Sequence, residues 1–172
     1  VTTKPEFDFV FRIKKERYLV MSYLNNQLGY RDALLDTRSI IKKGDYIVLD
    51  PDGLVKNVVP GYENCDVTIL GSPAMGATFA DYLVHEGGKN TGIGGEGIES
   101  FLYVVDGELS VKNDDQSAEL TKGGYIYSPA SNNITFEAKG EATLYVYRRR
   151  YEPVAGHSAH TVVGNANDLE WM

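Results

Sequence analysis

The chain has 172 residues, enough for one domain with its own core, and its 17 basic and 24 acidic side chains give a formal net charge of −7. That balance repels phosphate backbones and anionic membrane surfaces, so neither nucleic acid nor a membrane is an expected partner. Cys65 is the lone cysteine, which rules out an intrachain disulfide and a multi-cysteine zinc site and makes a reducing, cytoplasmic setting the simplest expectation.

In the first twenty residues, Lys14, Lys15, Glu16 and Arg17 follow the apolar Phe7, Phe9 and Phe11. A secretory leader has the reverse order, basic then apolar. Residues 30–38 contain Asp32, Leu34 and Leu35 and lack glycine and proline, which predicts a short N-terminal helix before strand character returns at residues 40–49. Turn signals then recur at Asp50-Pro51-Asp52-Gly53, Pro60-Gly61, Gly71-Ser72-Pro73, residues 87–97, Asp106-Gly107, Asn113-Asp114, Lys122-Gly123-Gly124 and residues 129–133. Between them lie pieces of strand length at a spacing of roughly eight to twelve residues, the rhythm of an all-β sandwich or barrel. No apolar run approaches the ~20 residues that cross a bilayer as a helix.

Phe101, Leu102, Tyr103, Val104 and Val105 are apolar in succession. A strand with one wet face alternates, so both faces of this one are expected to be covered. Tyr82, Tyr103, Tyr125, Tyr127, Tyr145 and Tyr147 suit a half-polar contact with another domain or subunit. From residue 151 the pattern breaks around Pro153 and Gly156, so residues 151–172 are expected to form a linker, with Asp168 placed to cap a further helix.

Two sets of motifs carry a resemblance. Glu99-Ser-Phe-Leu-Tyr-Val-Val-Asp-Gly107-Glu-Leu109 followed by Gly123-Gly-Tyr-Ile-Tyr-Ser-Pro129 resembles the paired motifs of the cupin superfamily, which implies a double-stranded β-helix, or jelly-roll barrel. Met21-Ser-Tyr-Leu-Asn-Asn26, Gly29-Tyr-Arg-Asp32, Pro51-Asp-Gly-Leu-Val-Lys-Asn57, Pro60-Gly-Tyr-Glu-Asn-Cys-Asp66 and Gly94-Gly-Glu-Gly-Ile-Glu99 resemble bacterial (S)-ureidoglycine aminohydrolases. The resemblance implies a bicupin that hydrolyses (S)-ureidoglycine to (S)-ureidoglycolate and ammonia, with manganese in a second cupin that this chain lacks. On that pattern residues 1–20 are an N-terminal extension, 21–150 the first cupin barrel and 151–172 a linker toward the second, in a homo-oligomer that takes a small ureide substrate.

Metal-binding cupins are similar in carrying a His-x-His pair, a glutamate shortly after it and a third histidine beyond the proline turn. Counting from Gly107 and Pro129 puts Gly94 and Glu96 at the paired histidines, Ser100 at the glutamate and Ile134 at the last histidine. A divalent ion needs three or four converging ligands, so no metal, catalytic or cofactor-binding residue is expected in this barrel. Glu99 sits one residue off, and a one-residue shift turns a side chain to the opposite face unless a bulge intervenes. Ser100, Leu102, Val104 and Phe136 are expected inside, filling the barrel with largely apolar side chains.

Several other signals have plain explanations. Gly92-Ile-Gly94-Gly95-Glu96-Gly97 satisfies GxGxxG but is followed by a strand, whereas a dinucleotide site needs a helix there. His157 and His160 fall in the expected linker, His85 flanks a turn without a metal-ligand spacing, and Cys65 suits a small apolar core position. Arg148, Arg149 and Arg150 alternate faces, which breaks up an anion patch and favours ion pairs to a neighbouring domain. The alternatives to a hydrolase half are a non-catalytic interaction or oligomerisation module and a small-molecule sensor that uses the barrel interior.

Overall fold

The computed structural model describes residues 39–85, 87–114, 116–130 and 132–170. The helix expected over residues 30–38 and the extension 1–20 lie outside them. The chain divides into one compact unit over Val1–Leu54 and another over Val55–Met172. In the first, β1 (Ile40–Lys42) and β2 (Tyr46–Val48) form an antiparallel hairpin, and the Asp50 amide donates to Ser39 Oγ at 2.8 Å.

The second unit is all-β. Its first strands are β3 (Lys56–Asn57), β4 (Tyr62–Glu63), β5 (Asp66–Gly71), β6 (Phe79–His85), β7 (Lys89–Asn90) and β8 (Ile93–Gly94). They are followed by β9 (Ile98–Asp106), β10 (Glu108–Lys112), β11 (Ser117–Thr121), β12 (Gly124–Ser128), β13 (Asn133–Ala138), β14 (Thr143–Arg150) and β15 (Val162–Asn165). Seven strands form one sheet in the order β15-β12-β9-β14-β6-β5-β3. A second sheet runs β11-β10-β13-β7-β4, with β8 paired to β13. The pairings are antiparallel throughout, as expected where short turns join successive strands.

One core joins the two sheets. Leu102, Val104, Ile126, Leu144 and Val146 from the larger sheet cluster with Leu109, Val111, Ile134 and Phe136 from the smaller. Leu102, Ile126 and Val146 are directly opposite one another on β9, β12 and β14, with no exposed surface. Each such burial is worth roughly 1.5–3 kcal/mol. Ser100, Leu102, Val104 and Phe136 are all buried inside, as alternation from the cupin motif requires.

Two expectations need correction. Val162–Asn165, assigned to a linker, is a strand that pairs with β12 from Gly124 to Tyr127. Gly164 leaves room for the Tyr125 ring, whose hydroxyl oxygen would lie 2.6 Å from a β-carbon there. Asp168 ends a 3-10 turn over Ala166–Asp168 whose Asn167 amide donates to Asn165 Oδ1 at 2.9 Å. Tyr82 does not join the other tyrosines: it pairs with Val146 and turns into the core. No helix among the described residues is long and apolar enough to cross a membrane.

The core model gives a direct test on one strand. Leu102→Ala is expected to lower the unfolding free energy by about 2–5 kcal/mol, whereas Val105→Ala, at a side chain 40% exposed, changes it by less than about 0.5 kcal/mol. Chemical denaturation of the two variants measures the contrast, and equal losses would contradict the inside–outside assignment of β9.

Candidate functional site

The chemistry-bearing residues gather where β9 begins and β12 and β14 end, and alternation divides them between the two faces of the larger sheet. Facing inward, Ser128, Ser100, Arg148 and Ala80 lie across β12, β9, β14 and β6. Facing outward are Glu99 and Arg149, which are directly opposite each other.

The inward face holds the positions at which metal-binding cupins carry ligands. Gly94 has a φ of +105°, a conformation that favours glycine, and a β-carbon there would lie 2.8 Å from Ser100 Oγ and 3.0 Å from the Asn132 carbonyl oxygen. Glu96 is exposed, and Ile134 is buried in the core. Ser100 contributes a neutral hydroxyl whose oxygen is buried and has no hydrogen-bond partner among the described residues. These residues do not fit a divalent ion, which requires several charged or imidazole ligands at one point. Among the described residues no three histidine, cysteine or acidic side chains gather in a group that could hold one.

The outward face organises a different constellation. Glu99, only 9% exposed, accepts a hydrogen bond from the Tyr127 hydroxyl at 2.8 Å and a charge-assisted one from Arg149 Nε. The register around it is regular, so no bulge swings it inward. Its carboxylate stands beside a pocket of about 340 Å³ lined by Ser100, Phe101, Tyr127, Tyr145, Tyr147 and Arg149. A second phenol–carboxylate pair sits nearby, with Tyr145 donating to Asp81 Oδ2 at 3.0 Å. Both Glu99 oxygens are engaged, so this carboxylate orders the pocket wall. The expectation that Arg149 pairs to a neighbouring domain is corrected, since its partner is on the adjacent strand of its own sheet.

The remaining candidates do not converge here. His85 is a half-buried strand residue whose Nδ1 lies 3.2 Å from Thr143 Oγ1, so it is not a free turn histidine. His157 and His160 are exposed in a segment without strand or helix. Cys65 packs at the core margin, its thiol 3.3 Å from the Glu63 carbonyl oxygen. The glycine-rich run leads into β9, not a helix. The tyrosine–carboxylate pairs escaped sequence reading because Tyr127 and Glu99 are separated by 28 residues and meet only through strand register.

Two sheets enclosing one core, with β9 turning at Gly107 and β12 running into Pro129, define a cupin barrel. The Cnp3 cupin domain of Schizosaccharomyces pombe shares this fold at a TM-score of 0.50 and 14% identity, over 62% of this chain and 76% of that one. No family model matches the chain. The curated (S)-ureidoglycine aminohydrolase of Escherichia coli is 50% identical over 155 residues, 87% of this chain and 59% of that protein. The crystal structure of protein Ylba from E. coli matches with a TM-score of 0.73 and 48% identity, covering 83% of this chain and 61% of that one. The chain thus belongs to the (S)-ureidoglycine aminohydrolase family, and it spans about three fifths of the length of that curated relative.

The outward pairs have a pH signature. Burial, reinforced by the Glu99 carboxylate, pushes the Tyr127 phenol up to about 12, and burial with Asp81 does the same for Tyr145. Unfolded phenols ionise near 10, so between about 10 and 12 the folded state holds more protons than the unfolded one. The stability these groups contribute is complete below about pH 10 and is lost as pH rises toward 12. A tyrosinate absorbance titration should show a late-ionising fraction that shrinks in Tyr127→Phe; a single transition near pH 10 in both proteins would refute the assignment.

Proposed function

We propose that this barrel is the metal-free, N-terminal half of an enzyme that hydrolyses (S)-ureidoglycine to (S)-ureidoglycolate and ammonia in allantoin catabolism. Family membership and the span of about three fifths of a curated relative support this reading. The observation that carries the division of labour is at the ligand positions: Gly94 in a backbone conformation that resists a side chain, Ser100 neutral, and Ile134 committed to the core. A filled barrel cannot also be a reaction chamber, so the chemistry is assigned to a second cupin, where manganese would supply the charge that activates water. The present barrel then scaffolds its partner cupin within a homo-oligomer.

The test is ammonia release from (S)-ureidoglycine, measured for the 172-residue chain and for the same barrel within a protein of the curated relative's full length, each with and without manganese. Turnover is expected only in the long, manganese-loaded protein. Manganese-dependent turnover by the short chain would overturn the reading and return attention to Glu96 and Glu99.

A further inference from the structure

We propose that the open end of this barrel binds the carboxylate of a small organic acid, with Arg148 as the anion-binding group and Tyr62, Tyr82 and Ser100 as its hydrogen-bonding neighbours. The four residues come from different strands. Arg148 closes the inward row of β14 directly opposite Ser100 on β9, and its guanidinium carbon lies 5.8 Å from the centre of the Tyr82 ring. Tyr62 reaches in from the smaller sheet, where its ring packs on Phe136 at 6.2 Å between centroids.

Each group retains bonding capacity. Arg149 is the arginine tied to Glu99, on the other face; Arg148 has no carboxylate partner among the described residues. Its planar fork of donors matches a carboxylate in two parallel hydrogen bonds. Ser100 Oγ is buried without a partner, and an unmet buried hydroxyl costs free energy that a ligand acceptor would recover. Burial pushes the Tyr62 phenol up, with Tyr82 and Arg148 close enough to act on it, so at neutral pH it remains a donor. Arg148 thus lies directly opposite Ser100, the residue at the position where metal-binding cupins carry their glutamate ligand.

Charge and space define the ligand. Among the groups that converge here none is acidic, so an anion is favoured over a cation. Below this row Leu102, Val146 and Phe136 are part of the core, so the proposed ligand is one of few non-hydrogen atoms held at the end of the barrel. This binding does not depend on the hydrolase assignment, and it can succeed or fail separately from turnover.

The test is a titration of the isotope-labelled 172-residue chain with oxamate, a small carboxylate bearing an amide, followed by amide chemical shifts. Saturable shifts centred on Tyr62, Tyr82, Ser100 and Arg148 are expected. Arg148→Gln should weaken binding by about tenfold or more, the usual cost of losing a charge-assisted pair. Arg148→Lys, which keeps the charge but not the fork, should fall between, and Lys122→Gln, removing one charge at the opposite end of the sheet, should leave affinity within about twofold. Absence of saturation, shifts that map elsewhere, or equal losses in Arg148→Gln and Lys122→Gln would overturn the proposal. Should Arg148→Gln fail to fold, the wild-type shift map and Arg148→Lys decide the matter.

Discussion

Burial of Leu102 between Ile126 and Val146 on the neighbouring strands holds three strands in register, and that register decides where every functional side chain in the barrel points. A strand's side chains alternate with a period of two, so slipping β9 by one residue would drive Glu99, Phe101 and Tyr103 into the core and expose Ser100, Leu102 and Val104. The cost of burying a carboxylate without its partners would add to the lost apolar burial. Hydrophobic packing in the middle of the sheet therefore controls the placement of the polar groups at its end.

The two faces solve the problem of polar groups differently. Outside, Glu99 and Asp81 each accept from a tyrosine on an adjacent strand, so the aromatic rows are pinned by hydrogen bonds as well as by contact. Phe101 and Tyr125 stack across β9 and β12 at 6.0 Å, and Phe79 and Tyr147 across β6 and β14 at 5.1 Å, distances at which aromatic pairs attract beyond simple area burial. Inside, polar groups are few. Asn90 is buried but meets both needs, donating to the Ile134 carbonyl and accepting from the Phe136 amide. Among the described residues, Ser100 is the inward side chain left with an unmet oxygen, at the end of the barrel and not in its middle.

Much of this was legible because alternation propagates from a single fixed point. Once Gly107 and Pro129 anchored the cupin motif, parity alone placed Ser100, Leu102, Val104 and Phe136 inside and sent Glu99 outward. Parity could not place Tyr82, because its strand β6 lies outside the motif and its face follows from pairing with β14. Nor could local pattern reveal β15, a four-residue edge strand whose extended form depends on the free edge of β12 and on Gly164 yielding to the Tyr125 ring. Edge strands of this kind are selected by their partner more than by their own propensity. The same limit hid the partner of Arg149: which acid it meets is a property of register across 50 residues of sequence.

The residues at the expected ligand positions do not fit a divalent ion, and the misfit goes beyond side chains. Were the difference confined to side chains, restoring histidines and an acid would suffice. At Gly94, however, the backbone itself stands in the way, because its positive φ strains any L side chain and its open direction is closed by Ser100 and the Asn132 carbonyl. At Ile134 a histidine would bring a polar ring among the apolar side chains of the core, where its nitrogens need partners that Leu, Val and Ile do not supply. Backbone, packing and polarity at these positions thus all disfavour a metal ligand set. At the rim, the row Ser128, Ser100 and Arg148 ends the packed core.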